Sequence, residues 1–153
     1  MACWVAQAQV TTVCKRMRKV DITEALLALP TTEFLDSGGT NGWLAHPDWL
    51  KDFVDGLALD GKVKVAVLRM LPSFQGIPLH TDFAPQGERR FHVPLVTHPA
   101  VAMRWPDARV DEHLESGYLW FVDHTQPHEV IHKAPIDRVH VQIDLVGCKE
   151  ACV

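Results

Sequence analysis

Six short segments with a two-residue hydrophobic period, punctuated by Pro, Gly or Asp and preceded by two helical segments, predict a mainly β protein. In a chain of 153 residues the pattern fits one domain. It suits a double-stranded β-helix, the jelly roll of cupin-like proteins, over 61–147, with a helical N-terminal part over 1–60. A flatter α+β sheet with helices on one face is the alternative.

Residues 21–29 combine Ala and Leu, which are strong helix formers, and Pro30 stops the run. Ser37-Gly38-Gly39-Thr40-Asn41-Gly42 is turn-forming. Pro47 suits the first turn of a second helix, where Trp49, Leu50, Phe53, Val54 and Leu57 keep helical spacing until Asp60-Gly61 ends it. From Lys62 the period changes to two, and strands are expected over 62–71, 90–97, 101–105, 118–123, 128–133 and 138–146.

The last strand is the clearest: Val139, Val141, Ile143 and Leu145 take one face, Arg138, His140, Gln142 and Asp144 the other. The strand from residue 90 behaves alike, with Phe91, Val93 and Leu95 alternating with Arg90, His92 and Pro94. On solvent-facing strands such rows are ordinary surface, whereas in a barrel they line the interior. Two strands that each carry Arg-x-His are more simply explained by one shared polar pocket. Trp120 and Phe121 are expected to pack as core.

The composition narrows the partners. A net charge of −4 and a pI near 6.1 argue against nucleic acid and anionic membranes, which leave a basic footprint. No apolar run approaches the roughly 20 residues that span a bilayer. The N-terminus does not read as a secretory signal, because the basic cluster Lys15-Arg16-Met17-Arg18-Lys19 follows the apolar residues. Cys3, Cys14, Cys148 and Cys152 form no CxxC pair and are expected to be reduced, incidental thiols of a cytoplasmic protein.

Seven of nine histidines fall within 80–98 and 124–140, the clustering a site would produce. His80-Thr81-Asp82 is followed by His128 and, ten positions on, by Arg138. Two imidazoles and a carboxylate are the set that holds a non-haem iron(II) on one face and leaves the other open. On extended backbone the side chains of His-x-Asp point to one side, about 7 Å apart, and the turn formers from Ala84 to Gly87 allow a bend. Taken alone, His-x-Asp is as readily a surface turn. His124 and His132 compete with His128, which starts a strand after Pro127. Arg90 and Arg138 have an alternative as exposed arginines, and His92 and His140 as structural histidines bonded to backbone.

Five segments, in order, carry a family resemblance: His80-Thr81-Asp82-Phe83, Arg89 to Val96, Gly117 to Asp123, Pro127-His128-Glu129-Val130 and Arg138-Val139-His140. Over about 67–146 the chain resembles the aspartyl/asparaginyl β-hydroxylase branch of the iron(II)/2-oxoglutarate dioxygenases, with bacterial proline hydroxylases as relatives. The resemblance implies that His80, Asp82 and His128 ligate Fe(II) and that Arg138 pairs with the distal carboxylate of 2-oxoglutarate. It nominates Arg90 and His92, and less directly His140, as co-substrate contacts. The animal aspartyl hydroxylases lack the ligand that Asp82 supplies, so the chain looks closer to the bacterial small-molecule side. The first 60 residues carry none of these segments, so any substrate-binding parts located there are left open by the resemblance.

The implied reaction consumes O₂ and 2-oxoglutarate, hydroxylates a free amino acid or an aspartyl, asparaginyl or prolyl residue, and yields succinate and CO₂. A carboxylate-bearing substrate would want a further cation, for which Arg69, Arg89 and Arg104 are candidates. A rival reading is a cupin-type metal or small-molecule binding protein without 2-oxoglutarate turnover. A nucleic-acid demethylase of the superfamily is disfavoured, since Gln142 and Asp144 stand where that group carries a second arginine.

Overall fold

The computed structural model describes residues 12–38 and 42–148. The chain runs β1 (Cys14–Lys19), α1 (Thr23–Ala28), a 3₁₀ turn (Leu29–Thr31), β2 (Leu35–Asp36), β3 (Trp43–Ala45), α2 (Asp48–Gly56) and β4 (Lys62–Leu71). It continues through β5 (Ile77–His80), β6 (Glu88–Val96), β7 (Val101–Trp105), β8 (Val110–Glu112), β9 (Tyr118–Val122), β10 (His128–His132) and β11 (Arg138–Val146). The strands form a seven-stranded sheet in the order β1-β9-β6-β11-β4-β3-β2 and a four-stranded sheet in the order β5-β10-β7-β8. The protein is a jelly roll.

Strand β11 lies at the centre of the larger sheet, antiparallel to β4 on one side and β6 on the other. Its two-residue alternation sorts the core into two layers. Val139, Val141, Ile143 and Leu145 pack with Phe91, Val93, Leu95 and Leu68 beneath the helices, which contribute Ala25, Leu50 and Val54, with Leu57 just after α2. In α2 the buried residues fall at helical spacing, and each fully buried Leu or Val contributes about 1.5–3 kcal/mol. The opposite face of the larger sheet meets the smaller one across Leu71, Trp120, Val122, Val101, Met103, Trp105 and Val130. Trp120 and Phe121, adjacent on β9, therefore enter different layers, as alternation requires.

The N-terminal part is not purely helical. β1, β2 and β3 all join the larger sheet, β1 on β9 and β3 on β4. The sequence Cys14-Lys-Arg-Met-Arg-Lys19 carries no alternation because β1 is an edge strand with a register shift between Arg16 and Arg18, and its charges suit a sheet edge. β2 and β3 are too short to show a period. The expected helix over 21–29 is shorter: the Asp21 carboxylate accepts the Thr23 N–H (3.0 Å) ahead of α1, and Pro30 sits inside the 3₁₀ turn. The second helix stops at Gly56, four residues before Asp60, as Leu57 turns into the core. β5 and β8 were also absent from the expected strands; Pro78 within β5 weakens its signal and is tolerated because β5 is an edge.

Cys14 and Cys148 are free thiols, and burial, with Glu112 nearby, pushes Cys14 up to about 12. Cys3, Cys152 and residues 39–41 of the Gly-rich turn lie outside the described residues. Among the described residues no helix is long and apolar enough to cross a membrane.

Gly76 sets the docking of β5 on β10, since a Cβ there would collide with the Val130 carbonyl oxygen. Gly76→Ala is expected to destabilise the fold by about 1–3 kcal/mol. Amide exchange should accelerate in β5 and β10 before β11; a wild-type urea midpoint with unchanged exchange would refute this.

Candidate metal centre

The smaller sheet brings two imidazoles together with their rings tilted by 55°. His80 ends β5, His128 begins β10, and the antiparallel register sets them directly opposite. Their ring centroids are 4.4 Å apart. Asp82 follows β5 in irregular chain, where its N–H donates to the His124 carbonyl at 2.9 Å. Its Oδ2 lies 3.5 Å from Nε2 of each histidine. Donor atoms of all three residues fall within 4.8 Å of one another.

The protonation of both rings follows from their other nitrogen. Nδ1 of His80 lies 2.7 Å from the Pro78 carbonyl, and Nδ1 of His128 lies 2.8 Å from that of Gln126. A carbonyl only accepts, so Nδ1 carries the proton and the Nε2 lone pair is free to face the space shared with Asp82. Burial also lowers the His128 pKa, which favours the neutral ring a metal needs. The three donors thus converge closely enough to hold one divalent ion between them.

Asp82 is also held by an arginine, on the same Oδ2 that faces the two imidazoles. Arg90 on β6 donates Nε and one terminal nitrogen to both oxygens of Asp144 (2.8 and 3.1 Å) and its other terminal nitrogen to Asp82 Oδ2 (3.1 Å). Asp144 is the register partner of Arg90 on β11. The sequence reading placed Asp144 in the polar row but gave it no role; its separation of 54 residues from Arg90 hides the pair until the strands are aligned.

His92 and His140 also meet across β6 and β11, Nδ1 to Nδ1 at 2.9 Å with the rings edge to face. One nitrogen donates and the other accepts, so the pair cannot be doubly charged in this geometry. Burial first, and then Arg138, hold both well below the usual histidine range. His92 lines the central cavity. His140, 2% exposed, is packed behind it with Nε2 unpartnered.

The cavity, about 110 Å³, opens beside the triad. Arg69, Arg90, Arg138, His92, His124 and Gln142 give it polar walls, and Leu71, Ile77, Met103, Val122 and Val130 apolar ones. Arg138 is 2% exposed, and its Nε has no hydrogen-bond partner. Burial, reinforced by Arg69, lowers its pKa to about 9, so it stays cationic at neutral pH.

Other candidates sort clearly. His124, expected in a turn, is buried there and lines the cavity, while its carbonyl anchors Asp82. His132 shares the parity of His128 but accepts the Ala134 N–H (3.3 Å) away from the cavity. Of the three arginines considered for a substrate carboxylate, Arg69 lines the cavity. Arg89 is exposed, and Arg104 pairs with Asp111 and Glu129.

With the geometry in hand, comparison with known proteins is informative. The profile of the aspartyl/asparaginyl β-hydroxylase family matches residues 49–147. No curated protein matches the chain by sequence. Among solved structures, a non-heme monooxygenase, ThoJ, in a nickel complex superposes with a TM-score of 0.61 at 16% identity, over 90% of this chain and 74% of that one. A Pseudomonas putida prolyl-4-hydroxylase gives 0.58 at 15% identity, over 89% and 93%. SnoK, a non-heme alpha-ketoglutarate-dependent carbocyclase of nogalamycin biosynthesis, gives 0.50 at 13% identity, over 81% and 71%. At these identities the structural likeness speaks to the fold.

The buried histidines make stability pH-dependent with a defined sign. His92 and His140 are held below the ordinary value, which the unfolded chain regains at about 6.5. As pH falls below that value, the unfolded chain takes up protons that the folded protein refuses. Stability is therefore fully present above about pH 6.5 and is lost below it. Thermal midpoints measured from pH 8 to 5 should fall on the acid side, and a His92→Gln/His140→Gln variant should fall less. An equally steep decline in that variant would show that these rings do not govern it.

Proposed function

The chain belongs to the aspartyl/asparaginyl β-hydroxylase family, and from that premise we propose that it is an Fe(II)/2-oxoglutarate-dependent dioxygenase that hydroxylates an amino acid or an aspartyl, asparaginyl or prolyl residue. The observation that carries this reading is the pairing of two features on one cavity: three convergent metal-ligand donors, and a buried Arg138 guanidinium with no carboxylate to answer it among the described residues.

In this reading His80, Asp82 and His128 hold the ferrous ion. Iron and 2-oxoglutarate supply the oxidising chemistry: of the two atoms of O₂, one enters the substrate C–H bond as hydroxyl and the other leaves in succinate as CO₂ is released. The protein's own work is positional. The Pro78 and Gln126 carbonyls fix both imidazole tautomers. Arg90, clamped by Asp144, holds the Asp82 carboxylate. Arg138 meets the distal carboxylate of 2-oxoglutarate with a planar fork matched to it. Leu71, Ile77, Met103 and Val130 limit water around the reacting centre. The neutral His92 offers hydrogen bonding to the co-substrate without adding charge.

A cupin-type metal or small-molecule binder without 2-oxoglutarate turnover explains the triad but assigns nothing to the buried Arg138, whose desolvation is costly without a counter-charge. The dioxygenase reading accounts for both.

The deciding measurement is succinate formation under O₂ with iron(II), 2-oxoglutarate and a panel of amino acids and short peptides. His128→Ala, which removes one of three ligands, should abolish turnover. Undiminished succinate in that variant would remove the metal assignment. Arg138→Met should raise the 2-oxoglutarate KM by about 10- to 100-fold, the loss expected for a charge-assisted contact, while leaving iron affinity near wild type.

A further inference from the structure

Three guanidiniums line the cavity, and they are not equivalent. Arg90 is neutralised by Asp144 and Asp82. Arg138 and Arg69 have no ion pair among the described residues, and Nε of each is buried without a hydrogen-bond partner. They come from adjacent strands. Arg138 is the register partner of Leu71, so Arg69, two residues before it on β4, is its diagonal neighbour on the same face. Burial first lowers the pKa of both; Arg138 then feels Arg69, and Arg69 feels Arg90, partly offset by Asp82 and Asp144. Two like charges are thus brought together in a partly dehydrated cavity whose other walls include the apolar Leu71, Ile77, Met103 and Val130 and the uncharged His92 and Gln142, with no carboxylate paired to either arginine among the described residues.

Such an arrangement is unfavourable in the empty protein unless an anion occupies the space between the two forks. We propose that Arg69 joins Arg138 in a two-guanidinium seat for the distal carboxylate of the keto-acid co-substrate, making Arg69 a co-substrate specificity residue. The inference rests on the dioxygenase reading above. It also separates Arg69 from the role of receiving a substrate carboxylate. A carboxylate has two oxygens with about four lone-pair directions, enough to accept from both arginines at once. The sequence offers Arg69 only as one of three unranked candidate cations, because its partner Arg138 stands on a different strand.

The test compares two keto acids that differ at one end. 2-Oxoglutarate and 2-oxopentanoate share the keto-acid group, but the second lacks the distal carboxylate. Calorimetric titration of each into the manganese(II)-loaded protein reads binding without turnover. The wild type should prefer 2-oxoglutarate. Arg69→Met should lose about 10- to 100-fold of that preference with 2-oxopentanoate affinity unchanged, and Arg69→Lys should recover part of it. An unaltered preference in Arg69→Met, alongside a collapse in Arg138→Met, overturns the role of Arg69 and leaves the dioxygenase reading standing. A wild type that binds neither keto acid overturns both. Should Arg69→Met fail to fold, Arg69→Lys decides alone: it keeps the charge and stem but not the fork, and a preference equal to wild type counts against the seat.

Discussion

The structure is organised around a cost: β11, the most buried strand, turns a row of polar side chains into the space between two sheets. Arg138, His140, Gln142 and Asp144 are all less than 5% exposed. Burying an unanswered charge or hydrogen-bonding group is far more expensive than any single packing contact is favourable. The neighbours of β11 are therefore not free choices. β6 must offer Arg90 opposite Asp144, and His92 must reach His140. The apolar reverse of the same strand is what supports this, because Val139, Val141, Ile143 and Leu145 lock β11 beneath α1 and α2. Fold and site share one strand, divided by the alternation of its side chains.

The smaller sheet supplies the other half of the site, and its economy lies in register. Pairing β10 with β5 sets His128 against His80 without any loop having to be ordered for the purpose. Asp82 lies two residues after β5, and it is tied to the His124 carbonyl and to Arg90. Each candidate ligand is fixed by a contact to a backbone carbonyl or to a charged partner on another strand. A site held this way is preorganised, since little side-chain freedom remains to be lost when an ion arrives.

Much of this was legible in the sequence, for physical reasons that also explain the rest. Strands β4, β7 and β11 read with their observed bounds because long or apolar strands buried on at least one face must alternate. His80, Asp82 and His128 could be selected together only because the family's order of motifs supplied the long-range link that spacing alone lacks. What escaped was the edges and the partners. β1 carries basic residues because a sheet edge favours them, β2 and β3 are two or three residues long, and β5 contains Pro78. Asp144, His124 and Arg69 gain meaning only from a neighbour distant in sequence, through Arg90, through Asp82 and through Arg138. No local pattern encodes a cross-strand partner.

The charge distribution in the cavity links stability to occupancy. Asp82 and Asp144 form their ion pairs with Arg90; they attract Arg69 only at longer range and pair with neither Arg69 nor Arg138. Replacing either arginine with an apolar residue of similar length would remove a desolvation penalty and a mutual repulsion, and exchanges of this kind often stabilise a folded chain. An arrangement that costs stability when empty is retained where a ligand repays it. Any anion bound between the two forks then stabilises the fold in proportion to its affinity and concentration. The residues that make β11 the least comfortable strand to bury are the ones that couple the fold to what it binds.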